Sequence, residues 1–299
     1  MVDFYKTENC KICQLKGIPV FSKKYDDETL RNFFENYYGN TKYNNFKNVL
    51  EGVNYELLKC EKCFFIWQKY SPKEKFSFDL YENIIDKKES LKKSSIKFEN
   101  QKTKNDKEID KIIDYFKNEK INILDFGAGW GHWLISGNRS KYNAYAFELS
   151  PSRKKYLQNN HINILNYDNI SKYKNFFHFI RLDQVLEHID DINSLLKTIK
   201  FLGREECIFF ISVPDGKNII KKSNFSISKG PIQPLEHLNC FSRYSLIKIL
   251  NKNDFKCIDI KKTMVINLKN FKLDLLTFKS ILYDLKNYFY STTIKFVNK

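Results

Sequence analysis

The stretch INILDFGAGWGH, residues 121–132, limits what this chain can fold into. An apolar run ends on an acid, Asp125, and glycine then takes positions 127, 129 and 131 in a chain that holds only ten glycines. Glycine adds to the entropy cost of folding and is kept where the backbone turns sharply or where something approaches the main chain closely. A short buried strand running into such a loop opens a βα unit, and the neighbouring sequence supplies the rest of a sheet. DKEIDKIIDYFKNEK, just ahead, carries apolar residues at 109, 112, 113 and 116, a helical stripe. After the loop a short helix is expected from about His132, then a strand in YNAYAFEL, a helix in SPSRKKYLQNN capped by Ser150 with Pro151 at its first position, and a third strand in INIL. FFHFIRLD gives a fourth strand, DDINSLLKTIKFL a helix, ECIFFISVPD a fifth strand, SRYSLIKILNKN a helix and FKCIDIKKTMVINL a further strand-like stretch. Strands alternating with helices predict an α/β fold, a Rossmann-like sheet with helices on both faces.

In such a sheet, ligands bind beyond the carboxyl ends of the strands, where the first loop turns into its helix. A phosphate-cradling G-x-x-x-x-G-K-[ST] loop occurs nowhere in the sequence. A dinucleotide fingerprint needs a small residue where this chain has His132. S-adenosylmethionine has no phosphate and asks instead for bare main chain against its amino-acid portion, which Asp125, Gly127, Ala128, Gly129 and Gly131 can supply. Glu148 ends the second strand, where a carboxylate can accept from both ribose hydroxyls. Asp168, after the third strand, stands where it can accept from an adenine amino group, and Asp183 and Gln184 end the fourth strand at the same crevice.

Ahead of this domain are two C-x-x-C pairs, Cys10 with Cys13 and Cys60 with Cys63. Two such knuckles suit one tetrahedral Zn²⁺ held by four sulfurs, a closed site that staples a fold and performs no chemistry. A redox reading needs a thioredoxin-like βαβ unit around one pair, and neither has it. Lys11, Lys59 and Lys62 are near enough in sequence to offset part of the thiolate charge, while Cys207, Cys240 and Cys257 fall in apolar surroundings and read as buried small residues. The expected map is a zinc-binding module over 1–80, a lysine-rich linker or surface helix over 81–106, the S-adenosylmethionine-binding domain over 107–265, and an extension over 266–299 in which DLLTFKSILYDLKNYFYS reads as an amphipathic helix. The net charge of +16 comes mostly from lysine spread end to end, unlike the concentrated arginine arms of RNA-binding chains, so nucleic acid is not the expected partner. A diffuse positive field still attracts anionic small molecules. With no secretion signal and no membrane-spanning apolar run, a cytoplasmic location without membrane insertion is expected.

Four stretches in order, ILDFGAGWG, AFELS, LDQVLEHIDD and FISVPDG, resemble class I S-adenosylmethionine-dependent methyltransferases over roughly residues 105–265. CKIC and CEKCFFIWQKYSP before them, with PLEHLNCFSRYSL behind, resemble the zinc-binding branch that includes C-methyltransferases of deoxysugar nucleotides. The resemblance implies structural zinc on Cys10, Cys13, Cys60 and Cys63, and an acceptor-side pair at Glu236 and His237, the histidine serving as base. The family's glycine-pair turn before the fifth strand is replaced here by FLGREEC, and E-H loops also occur in related O-methyltransferases.

Methyl transfer from a sulfonium needs an aligned acceptor, exclusion of water and removal of the acceptor's proton. His237 follows SISKGPIQPLEH, a loop able to cover the crevice, and an imidazole titrates near neutrality. Glu236 is placed to orient it or to bind the acceptor; His188 shapes the pocket, His132 caps the loop, and His161 and His178 are structural or exposed. The expected acceptor is a small anion, a nucleotide-activated sugar or an intermediate of capsule or O-antigen assembly. The alternatives are an RNA or protein methyltransferase docking through the zinc module, and a protein that binds the cofactor without catalysis.

Overall fold

The computed structural model of the chain describes residues 3–117, 120–217, 219, 230–257 and 293–298. Its strands are β1 (Phe4–Lys6), β2 (Ile18–Lys24), β3 (Asn54–Lys59), β4 (Ile66–Gln68), β5 (Tyr70–Pro72), β6 (Ile121–Phe126), β7 (Tyr142–Phe147), β8 (Asn163–Leu165), β9 (Phe177–Asp183), β10 (Gly203–Ser212), β11 (Asn239–Cys240), β12 (Phe255–Cys257) and β13 (Thr293–Asn298). The α-helices are α1 (Glu28–Tyr38), α2 (Asn40–Phe46), α3 (Glu74–Asp79), α4 (Lys87–Tyr115), α5 (Pro151–Asn159), α6 (Ile192–Leu202) and α7 (Arg243–Lys252). Two compact units divide the chain: Met1–Lys87 with Leu186–Asn193 and Val213–Ile249, and Lys88–Val185 with Ser194–Ser212 and Leu250–Lys299.

The first unit is built on an antiparallel sheet in the order β11-β4-β3-β2, with β1 and β5 paired separately. Its core mixes aliphatic side chains with aromatic rings. Helix α1 starts where the Asp27 carboxylate accepts the Thr29 N–H and buries Leu30, Phe34 and Tyr38, one residue per turn. These pack with Tyr25, Tyr43, Phe46 and Tyr55, rings that each bury a large area.

The second unit carries seven strands in the order β12-β13-β10-β9-β6-β7-β8. Strands β6 to β10 run parallel, and β13 lies antiparallel between β10 and β12. The strand order reverses between β6 and β9, so the loop after β6 opens at the position where doubly wound sheets take their ligands. Ile121, Ile123, Ala144, Ala146, Phe179 and Ile208 bury the sheet under α4 and α5, whose Ile109, Ile113 and Leu157 complete the core. Helix α5 begins as expected, with the Ser150 hydroxyl accepting from Arg153 N–H and Pro151 in the first turn.

Four features depart from the sequence reading. A single 3-10 turn, Trp133–Ile135, replaces the helix expected from His132. From Lys87 on, the stretch read as a linker or surface helix runs on into the stripe behind it as one continuous helix, α4, because no glycine or proline interrupts them. Segments 186–193 and 213–249, placed by the sequence inside the cofactor-binding domain, pack instead with the N-terminal module. Strand β13 lies in the stretch 266–299, where the sequence pattern predicts only a helix. The amphipathic helix expected over 274–291 and the strand expected beyond Cys257 lie outside the described residues.

Candidate active site

In the glycine loop the three glycines do different work. All have left-handed backbone, with φ of 78° at Gly127, 58° at Gly129 and 68° at Gly131. A Cβ on Gly127 would stand 2.7 Å from Val185 Cγ2, and one on Gly131 would fall onto Leu157 Cδ2, whereas one on Gly129 would meet nothing within 4 Å. Two glycines therefore let the loop pack closely, and the middle one keeps open space in front of the main chain. The loop is pinned by N–H bonds from Gly127 (2.8 Å) and Ala128 (3.3 Å) to the Phe147 carbonyl.

Glu148 buttresses the loop from the end of β7. Its Oε2 accepts from Gly129 N–H at 2.9 Å, and its Oε1 accepts from Leu149 N–H at 2.8 Å and Ser150 N–H at 2.9 Å. Both Glu148 oxygens thus accept from the main chain, and Arg153 Nη1 lies 3.8 Å from Oε2. Asp125 is buried beneath the loop, with Arg181 Nη1 3.2 Å from both its oxygens, and Arg181 Nη2 bonds Asp183. Burial, with the Asp183 charge adding to it and Arg181 opposing it, pushes the Asp125 carboxyl up to about 6. The Arg181 guanidinium is stacked 4.8 Å from the Trp133 ring centroid. Gln184 adopts φ of 57° and donates its N–H to Ser212 carbonyl at 2.8 Å. Asp168 is exposed in the turn closed by reciprocal Asn166 and Asn169 bonds, beside Tyr167, whose ring meets Phe147 at 5.1 Å. His132 is structural: its ring nitrogens face Ser94 Oγ at 2.9 Å and Tyr156 hydroxyl at 3.3 Å, and Phe98 stacks on it. The first half of α4 thus touches the loop, with Ser90 accepting from Trp130 Nε1 at 3.1 Å.

In the first unit the two knuckles are copies of one geometry. Gln14 N–H bonds Cys10 carbonyl and Cys10 N–H bonds Leu15 carbonyl; Phe64 N–H bonds Cys60 carbonyl and Cys60 N–H bonds Phe65 carbonyl. Gln14 and Phe64 both take left-handed φ, 62° and 57°. The four sulfurs lie within 4.8 Å of one another, and the N–H groups of Ile12 and Cys13 point at Cys10 Sγ from 3.4 Å. Four clustered sulfurs, on three buried cysteines and the half-buried Cys13, with N–H donors aimed at one of them, are compatible with zinc. Lys11 is committed to Asp190 at 2.9 Å, and Lys59 lies over the Phe64 ring.

The loop bearing Glu236 and His237 is stitched to the strand that follows the second knuckle. Strand β11 pairs with β4 (Asn239 opposite Trp67, Cys240 opposite Ile66). Gln68 N–H bonds Leu238 carbonyl at 2.9 Å, and Gln68 Nε2 bonds the carbonyls of Gln233 (3.0 Å) and His237 (2.9 Å). Asn239 Nδ2 donates to Leu186 carbonyl at 2.9 Å and Ile189 carbonyl at 2.6 Å, which brings Glu187 and His188 to the same place. The Glu236 carboxylate is buried; its Oε1 accepts from Tyr38 hydroxyl at 2.7 Å and Gln233 Nε2 at 2.8 Å, and burial raises its pKa against those bonds. His188 Nδ1 lies 2.9 Å from the Glu236 main-chain carbonyl, an acceptor only, and 2.8 Å from Tyr81 hydroxyl. The proton is therefore assigned to Nδ1, leaving the lone pair on Nε2. The His237 ring stands edge-on to it, centroids 4.8 Å apart. Burial drives His188 down to about 3, with His237 adding to the shift, and burial drives His237 down to about 4. Both imidazoles are neutral bases at neutral pH.

Residues 98–260, more than half of the chain, match the family profile described as a methyltransferase domain. The chain belongs to that family. It carries a methyltransferase domain. Solved structures similar to it include a SAM-dependent methyltransferase from Aquifex aeolicus (18% identity over 47% of this chain and 75% of that one, TM-score 0.37). Another, from Archaeoglobus fulgidus, is 16% identical over 76% of this chain and 100% of that one, with a TM-score of 0.41. The YcgJ protein from Bacillus subtilis is 11% identical over 62% of this chain and 96% of that one, with a TM-score of 0.42. None of the proteins of curated function compared with it matches the sequence.

Three residues of this methyltransferase's sites, Arg181, Tyr38 and Tyr81, stand outside its sequence motifs. Arg181 was legible as a lone cation two positions from Asp183 on β9, where alternate residues share a face. Tyr38 and Tyr81 carry no local signal, since each acts on a partner more than a hundred positions away.

Proposed function

We propose that this methyltransferase acts on a small anionic acceptor, a nucleotide-activated sugar or a surface-glycan intermediate of the capsule or O-antigen kind, methylated at oxygen or carbon. The observation that carries the reading is the Glu236–His237 pair: a buried, hydrogen-bonded carboxyl beside a neutral imidazole, on a loop bonded into the sheet of the cysteine module. His237 takes the acceptor's proton, and Glu236, fixed by Tyr38 and Gln233, orients the acceptor. The diffuse positive charge of the chain favours capture of an anion.

The open space at Gly129 suits an adenosyl amino acid without phosphates. When bound, S-adenosylmethionine supplies an electrophilic methyl group on sulfur. Gly127, Ala128 and Gly129 would present main chain to it, Glu148 a carboxylate oxygen to the ribose, and Asp168, Asp183 and Gln184 the polar rim beyond the strands. Cys10, Cys13, Cys60 and Cys63 would hold one structural Zn²⁺, which fixes the knuckles and takes no part in the transfer.

The test is mass spectrometry after incubation with S-adenosylmethionine and a panel of nucleotide sugars, glycan precursors, RNA and protein. A mass gain of one methyl on a nucleotide sugar or glycan precursor supports the reading; methylation of RNA or protein alone overturns it. His237→Ala should lower turnover by about 10²–10⁴-fold with S-adenosylhomocysteine affinity unchanged. A fully active variant removes the base.

A further inference from the structure

We propose that Glu187, His188 and His237 form a second metal site, unlike the four-cysteine cluster in chemistry, for a divalent first-row transition ion such as Zn²⁺, Co²⁺ or Mn²⁺. One carboxylate oxygen of Glu187 and one nitrogen from each histidine lie within 4.8 Å of one another. Donors that share an ion sit about 2.0–2.2 Å from it, so the trio needs to close by roughly 1 Å, within reach of side-chain rotation. All three residues belong to the first unit, and Asn239 ties their two segments together through the Leu186 and Ile189 carbonyls.

Two further observations favour a ligand over a packed cluster. His188 commits Nδ1 to the Glu236 main-chain carbonyl, the arrangement that orients metal-binding imidazoles, and its free Nε2 lies 3.9 Å from Glu187 Oε1. The Nδ1 atom of His237 is buried and has no hydrogen-bond partner among the described residues, a state that native structures rarely tolerate without a function. Two imidazoles and a carboxylate suit borderline transition ions; Mg²⁺ and Ca²⁺ prefer all-oxygen sites. Three protein ligands leave open positions, where a four-sulfur site leaves none.

The site rests on geometry alone, but its consequence for catalysis rests on the proposed role of His237. Glu187, His188 and His237 would hold the ion, which would occupy a His237 lone pair and, at an open position, would supply Lewis acidity that lowers the pKa of an acceptor hydroxyl.

Protein with the cysteine cluster zinc-loaded, stripped with a weak chelator, is titrated with Co²⁺ and followed by calorimetry and visible absorption. The expected result is one further equivalent per chain, with ligand-field bands and no thiolate-to-cobalt charge-transfer band. Glu187→Gln, His188→Ala and His237→Ala should each weaken binding at least about tenfold. Retained zinc and unchanged Trp67 fluorescence certify that the first unit stays folded. No further equivalent in the wild-type protein, or cobalt binding untouched by all three substitutions, overturns the site. The readouts separate the two proposals: no cobalt binding with an inactive His237→Ala leaves the base and removes the metal site, whereas cobalt binding with a fully active His237→Ala does the reverse.

Discussion

Gly129 and Gly131 are two positions apart in one loop, yet alanine should harm them in different ways. At Gly131 the left-handed backbone costs an alanine about 1–2 kcal/mol. Its methyl would also land on Leu157 Cδ2 and stand 3.3 Å from Ile162 Cδ1, both in a closed core, which adds about 1–3 kcal/mol of overpacking. The reduced entropy of the unfolded chain returns about 0.4–1 kcal/mol, so Gly131→Ala should destabilise the second unit by about 1–5 kcal/mol. At Gly129 the backbone cost is the same in kind, but the methyl enters open space, so the net stability loss should be about 1.6 kcal/mol or less. That methyl takes the space the proposed ligand would use, and S-adenosylhomocysteine should bind at least about tenfold more weakly, about 1.4 kcal/mol. Urea unfolding followed by Trp130 and Trp133 fluorescence, with calorimetry of ligand binding, reads both quantities. If Gly129→Ala is as destabilising as Gly131→Ala, or keeps full ligand affinity, the division between a packing glycine and a binding glycine is wrong.

Glu148→Ala strips acceptors from three main-chain N–H groups, so it should cost about 1–3 kcal/mol in urea unfolding as well as weakening S-adenosylhomocysteine binding; wild-type stability would refute its role as a buttress. The Asp125 carboxyl sits at about 6, above its ordinary value of 3.8, so the native state holds that proton more tightly than the unfolded chain does. Its stabilising contribution is complete below about pH 4 and is lost as pH rises through about 6, a change of up to about 3 kcal/mol. Stability of the wild-type protein relative to Asp125→Asn should therefore fall between pH 4 and pH 7, and a flat difference refutes the burial argument. One zinc resistant to weak chelators should copurify with each chain, and Cys60→Ser should lose it together with the native Trp67 signal; a folded, metal-free variant removes the staple.

Where a local pattern carries the physics, the sequence was readable. Strand β6 and its glycine loop announced themselves because apolar run, acid and glycines are contiguous, and the start of α5 did so because Ser150 and Pro151 are a cap written in two letters. The knuckles were legible because two thiolates on one turn need a fixed spacing. Helix α4 was obscured for the opposite reason. Before Ile109 it offers no apolar stripe, and it meets the loop through Ser90, Ser94 and Phe98. The surroundings of Glu236 were out of reach, since Tyr38 and Gln68 arrive from segments whose own patterns describe only a helix and a strand.

The short pairing of β11 with β4 has a consequence for how such an enzyme diversifies. The loop proposed to meet the acceptor is held by Tyr55, Gln68 and, through Asn239, the Leu186 carbonyl, so its shape is inherited from three separated stretches of chain that must remain mutually compatible. A recombination event or a designed chimera that transplants only the leading cysteine-bearing stretch would deliver half of a clasp. Acceptor preference, on this reading, drifts by coordinated change across the three stretches or travels with all of them at once.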